Sequence, residues 1–200
     1  MLAARSSVGA DGDLGANTIV GRRTTLGDRV TTASDVVFGR AATVGDDVDL
    51  PSFSSVGYGA TVGDSVELTN ALVLGSLATL GGPAAADPAI QCVGPLTIAR
   101  SASVAATPDH TLTCLGSAVV GPASVVGSGA VLGNNTRLRK DATVGDRLTT
   151  DSNTRLGRGV DVADDVTVAS NVTLGANASV CSNAVVSADV ARGDSAPGCP

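Results

Sequence analysis

The chain has 200 residues, of which 2% are aromatic and 16% charged, with 25 glycines, one histidine, no tryptophan and a formal net charge of −6. So little aromatic bulk excludes an ordinary globular core, and the acidic balance, with no basic run interleaved with aromatics, argues against a nucleic-acid partner. No apolar run approaches the length of a membrane span, and Met1 to Ala10 lacks the apolar segment of a secretory signal.

From Val8 a large apolar residue returns every six positions, as Val8, Leu14, Val20, Leu26, Phe38, Val44, Leu50, Val56, Val62, Leu68, Leu74 and Leu80, with Thr32 the one exception. Six fits neither the period of a helix nor the alternation of a plain strand, but it fits a short strand and a sharp corner repeated many times. The chain must therefore coil. Counting from the apolar residue i, positions i and i+4 point inward, i−1 and i+1 point outward, and the corner falls at i+2 and i+3. At i+3 stand Asp11, Asn17, Asp35, Asp47, Gly59, Gly129, Asn135, Asn153, Gly159, Asp165, Asn171, Asn177, Asn183 and Asp189, types that accept a left-handed backbone at low cost.

This pattern resembles the hexapeptide-repeat family, in which three hexads form one triangular coil of a parallel β-helix. The resemblance covers most of the chain and implies an all-β fold, a single-stranded left-handed β-helix of about ten coils. The family includes acyltransferases, carbonic anhydrases, ice-binding proteins and purely structural domains, so the fold leaves the function open.

Past Leu80 the count continues through GGPAAADP, with Ala86, Cys92, Ile98 and Val104 in step, which predicts an unbroken solenoid with one decorated corner. The single expected break is at 105–113, where ten positions replace six and four residues are surplus. The rhythm then runs from Cys114 to Val186, with Thr150 as its exception. The expected organisation is a lead-in at 1–7, a β-helix over 8–192 and a polar tail at 193–200, which Pro197 and Pro200 keep from coiling. The stretches 8–80 and 126–192 are related: LGDRVTTASDVVFGRAATVGDDV from Leu26 matches VGDRLTTDSNTRLGRGVDVADDV from Val144, an internal duplication.

Across the break, one coil plus four residues carries Cys92 to Cys114, both inward, at about the 5 Å spacing of paired strands and within disulfide reach. A second bond, Cys181 to Cys199, would tie down the tail. Two sensible pairings predict an oxidising, extracellular or cell-surface setting; the alternative is free, buried thiols. No cysteine pair has the spacing of a zinc site, and no cofactor is implied.

His110, the only histidine, lies in the excursion. The resemblance implies an acyltransferase that uses it as general base in a trimer, although PDHTLTC matches no motif of that family; a zinc-dependent carbonic anhydrase, which needs three histidines, is excluded. The corner carboxylates Asp28, Asp46, Asp47 and Asp64 are minor candidates for calcium, against the simpler reading that they bond backbone amides. A threonine column, Thr25, Thr43, Thr61, Thr79 and Thr97, raises ice binding without the second column that such proteins pair with it. Ile19, Val37, Val73, Val131 and Val185 fall outward on what the count makes one face, a seam for lateral self-contact. With no helix at either end to cover the open strand edges, the expected function is a non-catalytic structural rod whose subunits join head to tail into a filament, with the acyltransferase as the alternative.

Overall fold

Each hexad folds into one short strand and one corner, and neighbouring coils are joined by parallel backbone ladders. Ser7–Val8 pairs with Thr25–Leu26, Asp13–Leu14 with Thr31–Thr32, and Ile19–Val20 with Val37–Phe38, each 18 residues on. The computed structural model describes residues 1–68, 72–81, 90–93, 96–104, 112–115 and 117–196, with the backbone alone at 67–68, 90–93 and 112–115. Over these residues the strands form three parallel sheets, ten strands deep on face 1, which begins at Ser7–Val8, ten on face 2 from Asp13–Leu14, and nine on face 3 from Ile19–Val20. The described residues contain no helix. The architecture is the coil that the six-residue period predicts, a parallel β-helix, left-handed as the family resemblance implies.

The coil departs from its period twice rather than once. Leu68 pairs with Cys92, Leu74 with Ile98 and Leu80 with Val104, an offset of 24 residues. Six residues between Leu80 and Ile90 are therefore surplus, and the continuous count through Ala86, which lies outside the described residues, does not hold. Six surplus residues equal one hexad, so the rhythm passes over them without a slip. The second departure is as expected: Cys92 pairs with Cys114, Ile98 with Val120 and Val104 with Val126, an offset of 22. From Leu26 to Val144 the ladder takes four steps of 18, one of 24 and one of 22. Duplicated residues consequently return to the same face after six whole turns.

The ends differ from the expected lead-in and tail. Leu2 already bridges Val20, and at the other end Val190 bridges Leu174 and Ser195 bridges Ser179. This last turn is shortened to 16 residues, and it buries Val190 and Ala196. Asp189, expected in a left-handed corner, instead accepts the Thr173 N–H through its carboxylate at 2.7 Å. A side chain thus takes one place in the face 3 ladder where a backbone carbonyl would otherwise sit, beside the bridge from Leu174 to Val190.

Inside, the inward columns are packed without exposure. Val20, Phe38, Val56, Leu74, Ile98, Val120, Leu138, Leu156 and Leu174 stack under face 3, and small residues such as Ala42, Ala60, Ala78, Ala102 and Ala142 fill the angles beside them. A narrow prism has no room for more, which is why Phe38 is the one buried aromatic. The two breaks in the apolar series, Thr32 and Thr150, are buried and paired. Thr136 Oγ1 donates to the Gly133 carbonyl at 2.7 Å and lies 2.8 Å from Thr150 Oγ1, which accepts the Gly133 N–H at 2.9 Å. In the other half Thr32 Oγ1 likewise accepts the Gly15 N–H and lies 3.0 Å from Thr18 Oγ1. Two hydroxyls that satisfy each other cost the core little; one alone would be an unmet polar group.

The corners confirm the left-handed positions read from the sequence, Asp189 excepted, with φ near +60° at Asn17, Asp35, Asn135, Asn153 and their equivalents. The same conformation is imposed on Arg23, Arg29, Phe53 and Leu77, whose side chains give no such preference. The stacked ladder dictates the corner, and the residue follows.

Two measurements test these points. Thr150→Val should cost about 1–3 kcal/mol in urea unfolding, while Thr136→Val with Thr150→Val should cost less than the sum of the single changes, because both partners then leave together. Phe53, with φ +65° and 71% exposure, should gain about 1 kcal/mol of stability on Phe53→Asn, since Asn tolerates the left-handed region.

Candidate functional site

The corner between faces 1 and 2 is built from Gly-Asp pairs. Asp28 accepts the Ala10 N–H at 2.7 Å, Asp46 that of Asp28 at 2.7 Å and Asp64 that of Asp46 at 2.8 Å; Asp146 and Asp164 do the same for Ser128 and Asp146. Each carboxylate leans over the preceding coil, and glycine is needed beneath it: a Cβ on Gly27 would fall 2.2 Å from Asp46 Oδ1. The calcium candidates are corrected by this geometry. Asp28, Asp46 and Asp64 aim along the stack at amides, and Asp47 is held by Arg29. Among the described residues no group of three or more His, Cys, Asp or Glu is placed to hold a metal ion.

Arg29 and Asp47 form a two-pronged ion pair, Nε to Oδ1 at 2.5 Å and Nη2 to Oδ2 at 2.6 Å, and Arg147 and Asp165 repeat it at 2.6 and 2.7 Å. The hydrogen bonds from the guanidinium, then its charge, hold the Asp47 and Asp165 carboxyls below their ordinary value. Both pairs are solvent-exposed, so they fasten coil to coil with little energy each.

Both departures from the coil leave this same corner in successive turns, between Leu80 and Ile90 and between Val104 and Leu112. His110 lies outside the described residues, but its segment is bracketed by Ser103–Val104 on face 1 and Leu112–Leu115 on face 2. Cys92 and Cys114 are directly paired on face 2, the stacking that the spacing predicts. Cys181 is disulfide-bonded; Cys199 lies outside the described residues.

The extra hexad redraws two surface columns. Ile19, Val37 and Val73 do share face 3, interrupted by Ser55, but the next partners up are Thr97 and Val119. Val131 and Val185 stand on face 2, so the five-residue seam is not one seam. Likewise the threonine column of face 1 runs from Thr25 through Thr79 to Ser103, and Thr97 is not in it, which removes part of the basis for ice binding.

The feature that the sequence reading missed is the distribution of positive charge. Every Lys and Arg except Arg29 and Arg147 lies on face 3 or at the corner between faces 3 and 1: Arg5, Arg22, Arg23, Arg40, Arg100, Lys140, Arg158 and Arg192 at the corner, Arg137, Arg139 and Arg155 beside it. The carboxylates crowd the Gly-Asp corner instead. Two contiguous grooves open at the basic corner, one of about 220 Å³ lined by Arg139, Arg155, Arg158 and Thr173, the other of about 300 Å³ lined by Arg158, Asn177 and Arg192. The signal was present as Arg22, Arg40, Arg100, Lys140, Arg158 and Arg192, each two positions after a face 3 apolar residue, but the skipped hexad put the later ones on the wrong face.

Among solved structures, a UDP-N-acetylglucosamine O-acyltransferase from Moraxella catarrhalis is similar over 92% of this chain and 70% of its own, at 14% identity and a TM-score of 0.55. The chain has the hexapeptide-repeat left-handed β-helix fold. A UDP-N-acetylglucosamine acyltransferase from Bacteroides fragilis matches over 95% of this chain and 68% of its own, at 11% identity and a TM-score of 0.45. No protein-family model and no curated protein matches the sequence. The expected non-catalytic, head-to-tail filament is corrected by this likeness: the Moraxella catarrhalis protein that shares the fold is an acyltransferase.

The paired ions carry a pH dependence. A carboxyl whose value is depressed by folding contributes stability that is complete above its ordinary value of 3.8 and is lost as pH falls through its lower folded value. The melting temperature should stay level down to about pH 4 and drop below it; Asp47→Asn with Asp165→Asn should flatten part of that drop, an effect that about 1 M salt should suppress.

Proposed function

We propose that this chain is an acyltransferase of the hexapeptide type, acting as a self-associated trimer. The reading is supported by one observation above the others. In a solenoid whose remaining face 1 to face 2 corners are tight Gly-Asp turns or close variants, two successive coils depart at that corner, and the second departure carries the only histidine of the sequence, His110. Extra chain at one corner of a regular prism is where a site can be built without disturbing the ladder. The likeness to the Moraxella catarrhalis enzyme is of fold, and the chemistry is carried to this chain as part of the proposal.

In the proposed reaction the His110 imidazole takes the proton of an acceptor hydroxyl or amine as that atom attacks the carbonyl carbon of an acyl thioester. The carbon–sulfur bond breaks, and the thiolate leaves with the proton from the imidazolium. No metal or bound cofactor is required, and the acceptor class is that named for the fold relatives, UDP-N-acetylglucosamine.

The test is thiol release from an acyl-CoA by the purified full chain, with and without UDP-N-acetylglucosamine. Acceptor-dependent release is expected, and His110→Ala should slow it by about 10²–10⁴-fold while the circular dichroism spectrum and melting temperature stay unchanged. Release that ignores the acceptor, or that survives His110→Ala, would overturn the assignment.

A further inference from the structure

Among the described residues the grooves at the basic corner hold more cations than carboxylates. Arg137 and Arg155 are direct partners on adjacent strands of face 3, where Cβ atoms stand about 5 Å apart and like charges repel. Arg139 and Arg155 line the same groove, Arg158 joins it to the next, and Arg192 closes the far side. Against these cations and Lys140 stand Asp141, Asp189 and, beside Arg192 in the last coil, Asp194, which makes no ion pair among the described residues. Asp141 lies 3.6 Å from Lys140 Nζ and 4.0 Å from Arg158 Nε, and Asp189 is engaged by the Thr173 amide. Among the described residues Arg137, Arg139, Arg155 and Arg192 make no ion pair and no side-chain hydrogen bond. Elsewhere on the same prism Arg29 and Arg147 are paired, with Asp47 and Asp165, so the stacked Arg137 and Arg155 differ from the two arginines that stand beside the acidic corner.

We propose that this groove is a binding site for a polyvalent phosphate, lying at a different corner of the prism from the segment that carries His110. Guanidinium forks match phosphoryl oxygens two at a time, and cations repeated at the strand spacing suit successive phosphoryl groups better than one carboxylate, which would neutralise a single charge. The ligand is either an inorganic polyphosphate or an organic molecule bearing more than one phosphoryl group. The two share the oxyanion chemistry and differ in what fills the rest of the groove. The site stands independently of the acyltransferase reading.

The experiment is calorimetric titration of the full chain at low salt with inorganic tripolyphosphate and, separately, with fructose 1,6-bisphosphate. Saturable binding of at least one is expected, with affinity falling as salt rises. Arg155→Gln with Arg158→Gln should weaken it by about tenfold or more, whereas Arg22→Gln with Arg40→Gln, on the same corner but away from the groove, should change it less than about twofold. Removing a repelled charge should also leave the unliganded Arg155→Gln protein as stable as the parent or more so, which separates a binding loss from a folding defect. Preference for the bisphosphate identifies an organic ligand, and preference for tripolyphosphate a free one. The absence of saturable binding to both probes, or an equal loss in the two double variants, would overturn the proposal. Because His110→Ala should keep the binding intact, failure of this site and failure of the acyltransferase assignment are distinguishable.

Discussion

Each coil is held to the next by parallel backbone hydrogen bonds, and that ladder decides most of what the side chains are allowed to do. Strands stacked at about 4.8 Å leave no space for a Cβ where two corners nest, so Gly27 must be glycine if Asp46 is to reach the Asp28 amide. The same ladder holds Phe53 and Leu77 in left-handed corners that neither residue favours. The preceding coil satisfies the backbone N–H there, Phe53 N–H on the Ser34 carbonyl and Leu77 N–H on that of Tyr58. Stability in this molecule is distributed over many equivalent steps, as expected of a solenoid whose units touch only their neighbours.

Repetition turns single interactions into columns, and the columns explain where polar groups are tolerated. Two hydroxyls enter the prism at Thr18 and Thr32, and the pair recurs at Thr136 and Thr150. Arg29 with Asp47 recurs as Arg147 with Asp165. The duplication thus copied whole interactions, because both partners of each lie within the copied stretch and return to the same face.

Much of this was legible in the amino-acid sequence. A six-residue period has few physical solutions, and the Asn, Asp and Gly corners agree with it, so fold, inward columns and the stacking of Cys92 on Cys114 could be read before any coordinates. The surplus hexad after Leu80 could not, since a hexad is invisible to a count of six. That one omission displaced Thr97, Val131 and Val185 and scattered the arginines that the fold gathers at one corner. The net charge of −6 hid them as well, being a sum that says nothing about where either sign resides. The side-chain surroundings of His110 were beyond the pattern for a different reason: periodicity describes the coil and is silent about chain that leaves it.

The extruded hexad sets the phase of the screw. Had those six residues entered the prism as one more strand, everything from Cys92 onward would be turned by a third of a revolution relative to the first coils. Inside and outside would be unchanged and the core equally well filled, yet Arg22 and Arg40 would look out along one edge and Lys140 and Arg158 along another. With the hexad outside, the two ends of the rod are in phase and their cations share an edge. A surplus of six residues therefore decides which surface residues of distant coils stand in line, and a solenoid can re-aim half of its surface by taking in or letting out a single repeat.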